Sequence, residues 1–270
     1  MTRTLIASIC APLLACLLVA CGPKESLLVT GSLDDIYSAE AAGGYGVSST
    51  DPADVGTVKG RVTFEGRAYK RRQIQLSTDK FCVTANPSGL LSENFVFDPA
   101  TKGLENVFVY VKSGLAKMKF PVPSDPIVLD QIGCRYIPHM ARLRVGQPLV
   151  IKSSDNTLHN VHGMSNSNPE FNKTMSTPSQ LAAMYYEKPE YKEPARISCD
   201  VHGWMKSFMT VLPHPFSVIT AKDGSFELKG LPPGNYKLVI WHEYLGSQEL
   251  DITLENKQAL ALEPVVFTRG

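Results

Sequence analysis

A period of two runs through this sequence and leaves little room for anything but strands. From Gly56 onward, Val58, Gly60, Val62 and Phe64 alternate with polar residues, as a strand with one buried face requires. Gln73–Leu76, Val107–Val111, Ile127–Leu129, Ala141–Val145 and Leu149–Lys152 are read as further strands. Phe208–Leu212, Ser225–Leu228, Tyr236–Trp241 and Leu250–Leu254 complete the set. The turns between them carry Gly or Pro, notably Asp223-Gly224 and Pro232-Pro233-Gly234. No long amphipathic helix is predicted, and Gln180–Tyr186 is read as a turn or two of helix. The expected class is therefore an all-β sandwich architecture. With 270 residues, 43% of them hydrophobic, the chain suffices for one large domain or two of average size. A net charge of +1 provides no basic field, so nucleic-acid binding is not expected.

The first twenty residues read as a leader. Arg3 precedes an apolar run from Leu5 to Ala20 that is broken by Pro12, too short for a comfortable membrane span. Its end, Leu18-Val19-Ala20-Cys21, resembles the lipobox of bacterial lipoproteins. The resemblance implies cleavage before Cys21, acylation of that residue, and a lipid-anchored protein of the cell envelope facing the periplasm. Gly22 after the cysteine favours the outer membrane over the inner one. Residues 21–55, with Gly43, Gly44, Gly46 and a Ser/Thr run, are read as a flexible tether.

With Cys10 and Cys16 in the leader and Cys21 lipidated, Cys82, Cys134 and Cys199 remain in an oxidising setting. An odd number suggests one disulfide and one committed thiol. Cys199, His202 and Met205 stand on one short stretch as C-x2-H-x2-M, with His159 upstream at a strand end. One Cys and two His in a trigonal set with a weak axial Met is the donor pattern of a blue copper electron-transfer site. Soft sulfur favours Cu(I), imidazole suits both oxidation states, and a distant thioether tunes the potential.

Residues from about Pro138 to Leu212 resemble a cupredoxin of the plastocyanin/amicyanin type. The stretch from Arg144 to Ile151 resembles its early strands, and the run from Asp155 to Val161 its first ligand motif. The resemblance implies one copper held by His159, Cys199, His202 and Met205, with Asn160 tying the two ligand loops together. It also implies His202 as the electron port, with Trp204 beside it as docking area or as packing under the loop. If Cys199 binds copper, Cys82 and Cys134 are left either to pair or to remain as two buried thiols. The stretch 163–193 departs from the family pattern and is expected to cover or extend the copper face.

Residues 56–66 resemble the opening strand, and residues 222–238 the second half, of a carboxypeptidase-regulatory-like, transthyretin-type sandwich. The expected partition is therefore leader 1–20, tether 21–55, first part of that prealbumin-like sandwich 56–130, cupredoxin 131–213 and second part 214–270. Insertion of one sandwich into the other is weighed against sandwiches in series.

The remaining histidines carry weaker signals. His162, three residues from His159, points to the opposite face of a strand. His139 is read as a core or rim residue, while His214 and His242 give little. No His-x-His pair and no G-x-S-x-G elbow occurs, so neither a multicopper oxidase cluster nor a serine triad is expected. The chain is thus expected to be no enzyme but a carrier of single electrons between redox proteins, a cytochrome or membrane oxidoreductase. Two alternatives stand beside it. One is a copper carrier or sensor. The other is a glycan-binding module, of the type that accompanies rhamnogalacturonan lyases, with Tyr236, Trp241 and Tyr244 as a stacking platform.

Overall fold

The computed structural model describes residues 27–29, 54–67, 70–76, 79–115, 118–178 and 180–269. The expected leader 1–20, the expected lipidation site Cys21 and most of the expected tether lie outside them. Among the described residues the fold is all-β apart from one six-residue helix, Lys80–Ala85. Among the described residues no helix is long and apolar enough to cross a membrane.

The middle of the chain forms a cupredoxin-like β-sandwich. One sheet runs Leu27–Val29, Leu181–Tyr185, Pro148–Ser153, Ile127–Gln131, Tyr136–Ile137; the other runs Phe171–Met175, His159–Met164, Ala195–Ser198, Lys206–Leu212, Met140–Arg144. Pairing is antiparallel except between Ile127–Gln131 and Pro148–Ser153 and between Met140–Arg144 and Lys206–Leu212. The two sheets enclose a core that includes Leu129, Leu143, Ile151, Val161, Met175, Ile197 and Val211.

Flanking segments of the chain form the second sandwich. Its sheets are Ser217–Ile219, Phe108–Ser113, Gly234–His242, Gly246–Leu254 and Ser225–Leu231, Gly56–Glu65, Ala259–Ala261, with Val265–Thr268 also paired to Gly56–Glu65. The strand that begins it shows why the sequence reads so clearly. Val58, Val62 and Phe64 are buried while Lys59, Arg61 and Glu65 are exposed. Gly60 leaves room for a partner, since a Cβ there would lie 2.6 Å from the Phe226 ring. Because its strands lie on both sides of residues 127–212 in sequence, this sandwich is discontinuous.

A third cluster joins the two. Phe108, Tyr110, Met140, Phe208, Leu212, Val239 and Trp241 pack together, with the Phe208 and Trp241 rings 5.1 Å apart. Arg142 donates to the Ser217 carbonyl at 2.5 Å, and His139 meets Glu243 at 2.5 Å across the same junction.

Several expectations need correction. Leu181–Tyr185 is a strand, not a turn of helix: its Leu-Ala-Ala-Met run is buried between neighbours on both sides, and that burial overrides the helical preference of alanine. Part of the expected tether, Leu27–Val29, adds an edge strand beside it. The stretch 163–193 completes the strand His159–Met164 and adds Phe171–Met175 and Leu181–Tyr185, so it extends the sheet beside the candidate ligands rather than covering them. Asp79 and Cys82 lie over His202 instead. Ile74, Leu76, Phe81, Cys82 and Leu90 pack on the first core rather than the second, so the boundary at 130/131 is crossed.

The Asp223-Gly224 turn is the tightest contact of the second sandwich. Gly224 has φ +80, and a Cβ on Gly103 would lie 2.1 Å from the Asp223 backbone. Gly103→Ala is therefore expected to cost about 1–3 kcal/mol by urea denaturation, because backbone must move. Gly203→Ala, which meets nothing within 4 Å, should stay within about 0.5 kcal/mol.

Candidate metal centre

The strand Ala195–Ser198 ends at Cys199, and the chain turns through His202 to Met205 before re-entering the sheet at Lys206. Two backbone bonds close that loop: Met205 N–H donates to the His202 carbonyl (2.8 Å), and Cys199 N–H to the Met205 carbonyl (3.2 Å). His159 opens the neighbouring strand His159–Met164. The donor atoms of His159, Cys199 and His202 all lie within 4.8 Å of one another. His159 Nδ1 is 2.9 Å from His202 Nδ1, and Cys199 Sγ is 3.8 Å from His202 Nδ1. All three are buried, as is Met205 at 1% exposure in the same core.

Asn160 links the loops. Its Oδ1 accepts from the Asp200 N–H at 2.7 Å and lies 3.3 Å from Cys199 Sγ, while its Nδ2 donates to Asp200 and Asn172. The Tyr136 hydroxyl holds the Asn160 carbonyl at 2.5 Å. Burial works against a thiolate at Cys199. The His159 side chain and the backbone N–H groups of Asn160, His202 and Val201 outweigh it and lower the thiol pKa. Burial likewise opposes a charged His159, but Asp155 and the Cys199 sulfur raise its pKa to about 9.

Both far ring nitrogens are occupied. His159 Nε2 faces Asp155 Oδ2 at 2.9 Å, and His202 Nε2 faces Asp79 Oδ2 at 3.1 Å. A neutral imidazole that donates from Nε2 offers a bare lone pair at Nδ1. Two such lone pairs, 2.9 Å apart beside a thiolate-prone sulfur, repel unless a cation or proton lies between them. Two imidazoles and one thiol, with Met205 buried in the same core, suit copper, whereas structural zinc takes four Cys/His ligands and three stand together among the described residues.

The other expected residues fall in different places. His162 points outward, holding Asp200 at 3.0 Å and Glu170 at 2.5 Å. His139 binds the Lys206 carbonyl and Glu243. His214 and His242 are buried in the second sandwich, away from the ligand loop. Cys82 and Cys134 form a disulfide, and Cys199 is the free cysteine among the described residues.

His202 is 1% exposed, so it does not reach the surface as the family resemblance implied. Asp79 and the disulfide lie across its outer edge, Cys82 Sγ 3.7 Å from Nε2. Trp204 packs beside it, ring centroids 5.0 Å apart, and donates Nε1–H to the Cys134 carbonyl at 3.0 Å. Trp204 also lines a cavity of 560 Å³ with Arg72, Arg135 and Lys206. The glycan platform is not assembled. Tyr236 and Trp241 are buried, Tyr236 donating to the Pro232 carbonyl, and Tyr244 alone is exposed.

Sequence reasoning missed Asp79 and Asp155. Asp155 stands four residues before His159 in a run already singled out, so its proximity was available. Asp79 carries no local signal, being 123 residues from His202.

No known protein family and no curated protein matches the chain. Solved structures of copper proteins resemble part of it. A Cu-containing nitrite reductase from Thermus scotoductus SA-01 is 18% identical over 36% of this chain, with a TM-score of 0.29. This chain spans only 24% of that reductase. Amicyanin from Paracoccus versutus is 18% identical over 40% of this chain and 98% of its own, TM-score 0.28. A reduced mutant of amicyanin is 17% identical over 40% and 99%, TM-score 0.29. Likeness at these scores supports no step of the functional reading, which stands on the side chains themselves.

Proposed function

We propose that this chain is a type 1 copper protein that carries single electrons and makes or breaks no bonds. The observation that carries the proposal is the buried set of His159, Cys199 and His202, whose donor atoms lie within 4.8 Å of one another, with the two Nδ1 atoms 2.9 Å apart and the sulfur 3.8 Å from that of His202. His159, Cys199 and His202 would hold the metal, with Met205 as a weak thioether donor. Copper bound there supplies a one-electron couple.

The chain's own residues do the rest. Cys199 links the site covalently to the Ala195–Ser198 strand, and Asn160 clamps the two ligand loops so that neither shifts between oxidation states. The enclosed core excludes water, which keeps reorganisation small. With His202 covered, electrons enter or leave through Trp204 and the cavity it lines or through the strap of chain around the Lys80–Ala85 helix that covers it, rather than directly by an exposed histidine edge.

Anchoring to the envelope through Cys21, and exchange with a periplasmic or membrane redox protein, complete the proposal. They are supported by the leader and lipobox pattern alone. A copper carrier or sensor is less well served by this site, since four ligands at 2% exposure or less oppose rapid exchange.

The test is the visible and EPR spectrum of the chain from residue 22 after addition of Cu(II), beside Cys199→Ser. An intense blue thiolate-to-copper band with narrow hyperfine splitting is expected, and its absence from the variant. Colourless protein with ordinary type 2 copper, or no copper, overturns the proposal.

A further inference from the structure

Two carboxylates from distant parts of the chain stand behind the two histidines, and one disulfide ties them together. Asp155, 2% exposed, faces His159 Nε2 with Oδ2 at 2.9 Å. Its Oδ2 also accepts from the Cys134 N–H at 2.7 Å, and its Oδ1 from the Gly133 N–H at 2.6 Å. Asp79 caps the helix Lys80–Ala85 and faces His202 Nε2 with Oδ2 at 3.1 Å. Its Oδ1 accepts from the Cys82 N–H at 3.0 Å, and its Oδ2 from the Thr157 hydroxyl at 2.9 Å. Each carboxylate therefore grips one histidine on one side and the backbone of one disulfide cysteine on the other.

We propose that Asp79 and Asp155 are a matched pair of positioning residues that fix the tautomer, ring orientation and donor strength of His202 and His159, locked in place by the Cys82–Cys134 disulfide. The inference rests on the copper proposal and goes beyond it. A metal-bound imidazole that donates its other N–H to a carboxylate is more electron-rich, and loss of such a partner weakens metal binding by about 10- to 100-fold. Extra donor strength favours Cu(II) more than Cu(I), so the pair holds the reduction potential down. It also keeps His202 from rotating off the metal, because both of its ring nitrogens are engaged. The disulfide enters the design by geometry: the N–H groups of its two cysteines are the donors that aim both carboxylates.

The experiment measures reduction potential and Cu(II) affinity of the copper-loaded chain from residue 22 in wild type, Asp79→Asn and Asp155→Asn. Asparagine retains an acceptor oxygen but no charge. Each substitution is expected to weaken Cu(II) binding about tenfold relative to Cu(I), which corresponds to a rise of about 59 mV for a one-electron couple. The blue band should persist in both. The Cys82→Ser/Cys134→Ser variant should shift the potential the same way, and adding Asp79→Asn to it should shift it little further.

A blue wild type whose potential is unchanged in Asp79→Asn overturns the pairing and leaves the copper proposal standing. A wild type without a blue band overturns the copper proposal itself. Should Asp155→Asn fail to fold, Asp79→Asn decides alone, since its side chain lies at the rim, bonded to Thr157 and the first turn of a short helix.

Discussion

Alanine at both Cys82 and Cys134 is expected to destabilise the metal-free protein by about 4 kcal/mol, the largest single effect that the fold predicts. The bond closes a loop with a sequence separation of 52 residues, and a cross-link of that length removes about that much chain entropy from the unfolded state. Both cysteines are fully buried, so alanine adds small cavities without stranding a polar group. The native strap has little else of its own. Its helix has six residues, far below the length at which a helix persists alone, and its hairpin Gln73–Ile74/Leu90–Leu91 pairs two residues a side. What remains is the packing of Ile74, Leu76, Phe81 and Leu90 on the first core, the contacts of Asp79 with Thr157 and His202, and the bonds from Asn86 Nδ2 to the Cys82 and Gly133 carbonyls. Urea denaturation with copper removed keeps metal linkage out of the comparison. A loss below about 1 kcal/mol would mean that these contacts hold the strap unaided, and that the disulfide constrains the unfolded chain far less than its span implies.

The strap also marks where the sequence stopped being legible. The strand Gly56–Glu65 announces itself because one side chain in two faces the core, and a period of two needs no knowledge of the partner. The stretch His159–Met164 was read only as a strand end at His159, without bounds, because its neighbours His159 and Asn160 are both buried and the apolar alternation is lost. The loop from Cys199 to Met205 was legible for a different reason: three donors within seven residues must share one site whatever the fold around them. His159 could be added because strand ends lie beside such loops. Asp79 could not, since its place beside His202 arises from a chain crossing between sandwiches, and no local pattern encodes a crossing. The same holds for the disulfide, whose pairing stayed open until Cys82 and Cys134 were seen 5.6 Å apart at Cα. The interleaving of the two sandwiches was suggested by two similar-looking pieces at 56–66 and 222–238, and the antiparallel register of Ser225–Leu231 with Gly56–Glu65 shows how they meet. Trp241 and Tyr236 misled as a stacking platform, because an aromatic strand face looks alike whether it meets solvent or another sheet.

Acid should undo this protein between pH 6.5 and 4, before its carboxylates titrate in bulk. Burial pushes both His214 and His242 down to about 4; the Arg144 charge adds to the effect on His214, while Glu243 partly opposes it on His242. Hydrogen bonding agrees with neutral rings. His214 Nδ1 accepts from the Phe216 N–H, and His242 Nδ1 from the N–H groups of Tyr244 and Leu245, so neither Nδ1 can take a proton without losing its bonds. In the unfolded chain both would protonate near pH 6.5. Their contribution is therefore complete above that pH and falls as pH drops towards 4, by up to about 1.4 kcal/mol per unit for each group. The total approaches about 3 kcal/mol per histidine. His202, lowered chiefly by burial, acts in the same direction in the metal-free protein. His139 and His159 do not offset the loss. Their pKa values are raised, so what they contribute is already complete below pH 6.5 and is lost only as pH rises. Urea denaturation of metal-free protein at pH 7.5 and 4.5 measures the fall, and His242→Asn, whose amide oxygen can take over the two backbone N–H groups, should lose about 2.5 kcal/mol less over that interval than wild type. Equal losses in the two proteins would show that the proton enters elsewhere. The part of the second sandwich around His242 would then not be where acid attacks.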